Sequence, residues 1–216
     1  MYLPILIPAA LLLIGHLYFE YKKNLTGKLI TKPPISLLFI VAALITPQSL
    51  VPGYSILILI GLVFCLGGDV LLAFGTKKTF LFGLVSFLLG HVLYIVAFSR
   101  LVPLGAWINW GLPVIAIASV VVFVWLKPHL GNMTGPVIAY IVIISVMMLG
   151  ACAVAGRTEL SPIGRGMIFA GALLFYLSDL FVARHRFVAP QIINRICGLT
   201  MYYSGQFLLA YSIWIS

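Results

Sequence analysis

Acidic side chains are nearly missing from this sequence: 4 Asp and Glu stand among 216 residues against 13 Lys and Arg, and charged residues of both signs make up only 8% of the chain. With 63% hydrophobic residues and a mean hydropathy of +1.20, too few polar side chains remain to coat a soluble globule. A water-soluble domain is thereby excluded, and an integral membrane protein is expected. Cysteine is sparse as well. Cys65, Cys152 and Cys197 all fall in apolar runs, with no pairing pattern and no Cys-x-x-Cys spacing, so they read as small buried hydrophobes rather than as a disulfide, redox or metal framework. Of the 4 histidines, His16 and His91 lie in apolar segments, and no His-x-x-x-His cluster occurs, so neither a metal nor a cofactor is expected. No Gly-x-Ser-x-Gly elbow is present, which argues against nucleophilic serine catalysis. The formal charge of +9 has no folded surface domain to sit on. It therefore signals topology and attraction to anionic lipid headgroups, and no nucleic-acid partner is expected.

What the chain does have is long apolar runs, at residues 3–19, 35–51, 54–74, 80–99, 104–126, 135–155, 163–183 and 192–214. Most approach the ~20 residues a helix needs to cross the hydrocarbon. The expectation is an all-α membrane protein, an eight-transmembrane-helix bundle forming a single polytopic domain over residues 1–216. The first run has no basic segment before it and no small-residue cleavage site after it, so it is expected to remain as a helix. Counted along the chain, the odd loops carry Lys22, Lys23, Lys28, Lys32, Lys77, Lys78, Lys127, Arg184, Arg186 and Arg195, and the even loops carry Arg100, Arg157 and Arg165. This bias places the odd loops in the cytoplasm and both termini outside.

Two of the four acidic residues, Asp69 and Asp179, lie inside apolar runs. An ionisable group at membrane depth is costly, so function is the default reading of both. Aligning the third and seventh helices on them brings Gly61 onto Gly171, Gly68 onto Ser178 and Ala73 onto Ala183. Two four-helix repeats, 1–101 and 104–216, packed about an axis along the membrane normal, would set the two aspartates at equal depth and facing each other. His91 and Tyr94 in the fourth helix, and Tyr202, Tyr203 and Gln206 in the eighth, share faces of the helices that follow each aspartate. They line a site or simply hold the bundle together by interhelical hydrogen bonds. His16 and Glu20 share a face near the end of the first helix, where snorkelling to the interface is expected.

These residues resemble the YhhN-type membrane proteins, which include the lysoplasmalogenases. The resemblance is carried by Lys32-Pro33, by Gly68-Asp69-Val70-Leu71, and by Gly83, Phe87, His91 and Tyr94. It continues through Gly171-Ala172, Phe175, Ser178-Asp179, Ala183 and Arg186-Phe187 to Tyr202-Tyr203 and Gln206. Two positions depart from the family pattern. Cys65 stands one turn before the first aspartate, where a serine is common, and Pro34 follows Lys32-Pro33. A thiol is a poor donor, so Asp69 gains little from Cys65.

The resemblance implies hydrolysis of the vinyl-ether bond at the sn-1 position of lysoplasmalogen, a lysophospholipid, to a fatty aldehyde and glycerophosphoethanolamine or glycerophosphocholine. Such a bond is cleaved by protonating its alkene carbon, after which water captures the oxocarbenium ion and the hemiacetal collapses. The enzyme needs an acid that keeps its proton near neutral pH. An apolar environment and a second carboxyl group nearby both disfavour the ionised form of a carboxyl group. One of Asp69 and Asp179 would then be the general acid, and the other would stabilise the cation and orient the water, with the two roles left unassigned by the sequence. His91, Tyr94, Tyr202, Tyr203 and Gln206 would position them, and Lys32 with nearby cytoplasmic cations would bind the lipid phosphate. Intramembrane carboxylates in a repeated bundle also build proton-coupled transporters of lipids or small amphiphiles, which is the alternative reading.

Overall fold

The computed structural model describes residues 3–47, 49 and 51–214, and these form eight α-helices and no strand. Following α1 (Leu3–Tyr21), short polar punctuation marks where the next helices begin. The Asn24 side chain accepts from the Gly27 amide at the start of α2 (Leu25–Ile45). Thr76 and Thr79 form a reciprocal capping box at the start of α4 (Lys77–Leu101), and Ser161 caps α7 (Pro162–Ala183), whose first residue is a proline with no amide hydrogen to lose. Gly53 and Gly75 take positive φ, 80° and 71°, at the two ends of α3 (Tyr54–Ala73), a conformation that costs glycine little. A short 3₁₀ turn, Gly131–Met133, joins α5 (Gly111–Leu130) to α6 (Thr134–Ala155). The last helix is α8 (Ile192–Tyr211).

Six segments are long and apolar enough to cross a membrane, not the eight expected. The difference has two physical sources. Because α5 and α6 follow each other through the 3₁₀ turn, they fall in one 45-residue helical segment, Gly111–Ala155. The other source is α8, which is too polar to qualify, since Asn194, Arg195, Tyr202, Tyr203 and Gln206 occupy it. It packs against α7, α2, α1 and α3, and most of its residues are shielded by protein.

The second helix also differs from its expected bounds. A span at 35–51 was anticipated, and residues 48 and 50 of it lie outside the described residues. The helix instead runs from Leu25 to Ile45, straight through Lys28, Lys32, Pro33 and Pro34. Lys32 is therefore not a loop residue. Its side chain is 6% exposed, which is sustainable only because a carboxylate meets it inside the protein.

The helices that carry the aspartates sit close to the helices that follow them. A Cβ at Gly90 would stand 3.1 Å from the Gly61 carbonyl oxygen, and one at Gly205 would stand 2.8 Å from the Gly171 carbonyl oxygen. Glycine at these points lets α4 lie against α3, and α8 against α7, almost backbone to backbone.

Candidate active site

Asp69, four residues before the end of α3, is 1% exposed and has three polar partners. Lys32 Nζ of α2 stands 3.0 Å from Oδ1, while Ser36 Oγ of α2 and Tyr202 Oη of α8 each donate to Oδ2 at 2.6 Å. Lys32 and Ser36 are four apart, so one face of α2 supplies both. An ammonium and two hydroxyl donors complement a carboxylate, and a buried carboxylate needs such complements.

Asp179 of α7 is held differently. Tyr140 of α6 donates its hydroxyl to Oδ2 at 2.8 Å, and His91 Nε2 of α4 lies 3.9 Å from the same oxygen. Among the described residues no lysine or arginine forms an ion pair with it. Its side chain is 19% exposed and lines a cavity.

That cavity, of about 90 Å³ for the centre of a water molecule, is lined by Asp69 and Asp179 together, with Lys32, Tyr140, Tyr202 and a long apolar wall from α5, α6 and α7. Among the described residues no hydrogen bond joins the two carboxyl groups. Phe87, Phe175 and Tyr202 pack edge to face at centroid distances of 5.3 to 6.1 Å, and the His91 ring lies 4.4 Å from that of Phe175. An aromatic cluster thus links the surroundings of one carboxyl group to those of the other.

The candidate residues divide into two sets. Asp69, Asp179, Lys32 and Tyr202 reach the cavity. His91 stands behind its wall, beside Asp179. Tyr94 donates to Gln206 Oε1 at 2.9 Å and lies 3.7 Å from Cys65 Sγ, so this pair ties α4 to α8 without touching either aspartate. Tyr203 is buried on the Ser36 side of Asp69. His16 and Glu20 do not snorkel: His16 is fully buried and bonds Thr31 Oγ1 through Nδ1 at 2.9 Å, and Glu20 is 12% exposed among His16, Lys28 and Arg195. Cys65 and Cys152 are buried as expected, whereas Cys197 is only partly so.

Ser36 and Tyr140 were missed from the sequence. Ser36 could have been found, since it lies one turn from Lys32. Tyr140 gives no such signal, because its neighbours in α6 are apolar and the aspartate it meets is 39 residues away. Among the described residues, no group of three or more His, Cys, Asp or Glu is placed to hold a metal ion.

Comparison with known proteins gives three informative relatives. The chain is 36% identical over 159 residues to lysoplasmalogenase TMEM86A of Bos taurus and 35% identical over 159 residues to lysoplasmalogenase TMEM86A of Homo sapiens, in each case covering 72% of this chain and 64% of the relative. It is 30% identical over 161 residues to lysoplasmalogenase TMEM86B of Sus scrofa, covering 74% of this chain and 65% of the relative. The chain thus spans a little under two thirds of the length of these relatives. No solved structure matches it. Residues 27–213 match the YhhN family, and the chain belongs to that family.

Proposed function

We propose that this protein is a membrane-embedded hydrolase that cleaves the vinyl-ether bond of lysoplasmalogen, with Asp179 as the general acid and Asp69 as the fixed carboxylate. The observation that carries the reading is the unequal pair lining one cavity: Asp69 has a buried counter-ion at 3.0 Å, and Asp179 has a hydroxyl and a histidine ring but, among the described residues, no lysine or arginine. The names of the three relatives support the substrate class.

The chemistry divides accordingly. Asp179 gives its proton to the alkene carbon next to the ether-bearing carbon, and the positive charge that develops is spread over that second carbon and the ether oxygen. The carboxylate of Asp69, paired with Lys32 at 3.0 Å, stabilises this oxocarbenium ion and orients water toward it. Phe87, Phe175 and Tyr202 line the same cavity, and aromatic rings there would add their attraction for a cation. Water adds to the cationic carbon, its surplus proton returns to Asp179, and the hemiacetal collapses to a fatty aldehyde and the glycerol hydroxyl. Proton count and acid are both restored. The hydrocarbon chain occupies the apolar wall between α5, α6 and α7.

We also propose that the two four-helix halves are related as repeats. The close approach of α3 and α4 at Gly61 and Gly90 has its counterpart in α7 and α8 at Gly171 and Gly205, and the packing of α4 on α6 has its counterpart in α8 on α2. Lys32 on α2 breaks the symmetry, and this gives the two aspartates different roles.

Purified protein in detergent, given lysoplasmalogen and followed by mass spectrometry, tests the function. Release of a fatty aldehyde with glycerophosphoethanolamine is the expected result. No release, together with proton-coupled lipid movement in reconstituted vesicles, would replace the hydrolase by a transporter using the same aspartates.

A further inference from the structure

Beside the catalytic cavity lies a second one, of about 350 Å³, and the two share Leu72, Phe80, Val182, Phe187 and Arg195 as lining residues. The second carries two arginines and a histidine. His185, Arg186 and Arg195 line it, and no carboxylate does among the described residues. Two local features put them there. Past Ala183 the chain widens into a π turn, Arg184–Val188, closed by the Ala189 amide donating to the Arg184 carbonyl at 2.8 Å, and this shifts the register of the side chains that follow. Arg186 is then held over the Phe80 ring at 4.4 Å from its centroid.

Arg195, near the start of α8, is not satisfied by its surroundings. Its nearest anion, Glu20 Oε2, lies 3.7 Å from Nε, that nitrogen is buried with no hydrogen bond, and Glu20 is shared with Lys28 at 3.9 Å. Lys32 is committed to Asp69, and Arg184 donates to Gln191 and Asn194.

We infer that this vestibule is the binding site for the phosphate of the lipid headgroup, with Arg195 and Arg186 as its anion-holding forks. The inference rests on reading the adjoining cavity as a lysolipid site, and it gives the phosphate role, expected of Lys32 with nearby cytoplasmic cations, to the two arginines. Guanidinium groups present donors in a planar fork that fits phosphate oxygens, and two arginines lining a cavity that has no carboxylate among the described residues suit an anion. With the phosphate there, the ether at sn-1 reaches through the shared wall at Leu72 and Phe187 toward the aspartates, and the cleaved glycerophosphodiester leaves by the same vestibule.

The test uses two lipids the protein cannot cleave, a 1-O-alkyl glycerophosphoethanolamine and the matching 1-O-alkylglycerol, which lacks the phosphate. Their affinities for the full chain in detergent are compared in wild type, Arg186→Gln/Arg195→Gln and Arg195→Lys. Wild type should prefer the phosphate-bearing lipid by about tenfold or more, as charge-assisted contacts supply. The preference should collapse in the double variant and survive in part in Arg195→Lys. A preference that is absent in wild type, or unchanged in the double variant, overturns the proposal. So does inorganic phosphate binding wild type as tightly as the lipid, since the site would then take the free anion. Because neither lipid is cleaved, protein that shows the preference but releases no aldehyde from lysoplasmalogen refutes only the hydrolase. Protein that releases aldehyde without the preference refutes only the vestibule.

Discussion

Lys32 and Asp69 form a buried ion pair, Nζ to Oδ1 at 3.0 Å, between α2 and α3, beside the Ser36 hydroxyl that donates to Oδ2 of the same carboxylate. Removing one partner of such a pair strands the other charge in the protein, which costs about 3–5 kcal/mol, whereas replacing both by apolar or neutral groups is nearly free. Lys32→Met and Asp69→Asn should each lower the thermal unfolding temperature in detergent. The double variant should be more stable than Lys32→Met alone. Additive losses would show that the two side chains do not act as a pair.

Tyr140 meets Asp179 through one hydroxyl at 2.8 Å, and its ring is packed edge-on to His91 at 5.3 Å. Tyr140→Phe keeps the ring and deletes the donor, so the fold should persist while the acid loses its orientation. A fall in kcat of about tenfold, with KM little changed, is expected in a steady-state aldehyde assay. An unchanged kcat would remove Tyr140 from the machinery.

The aspartates were legible because their position in apolar runs is itself the anomaly. Their partners were not, for reasons that differ residue by residue. Lys32 was counted with the loop cations because a lysine followed by two prolines reads as the end of a helix, and nothing local reveals that a carboxylate 37 positions later neutralises it. Ser36 and Tyr140 are ordinary hydroxyls whose importance appears only when α2 is laid on α3 and α6 on α7. The eighth helix was found but its character was not, since its polarity reflects enclosure by its neighbours, a property of packing and not of the segment.

Gly205 lies where a Cβ would meet the Gly171 carbonyl oxygen at 2.8 Å and the Phe175 amide at 3.2 Å, both backbone atoms that cannot rotate away. Gly205→Val should therefore push α8 from α7 and cost about 1–3 kcal/mol, read as a lowered unfolding temperature. Gly15, which has nothing within 4 Å of such a Cβ, is the control: Gly15→Ala should leave that temperature unmoved or raise it slightly.

The division of labour between the two carboxyl groups is tested most directly by aldehyde release from lysoplasmalogen in Asp179→Asn, measured beside wild type after both are shown to unfold at similar temperatures and to bind the uncleavable alkyl ether alike. The amide can still accept from Tyr140 but has no proton to give, and the rate should fall roughly 100- to 10,000-fold. A variant that releases aldehyde within a few-fold of wild type would contradict Asp179 as the acid.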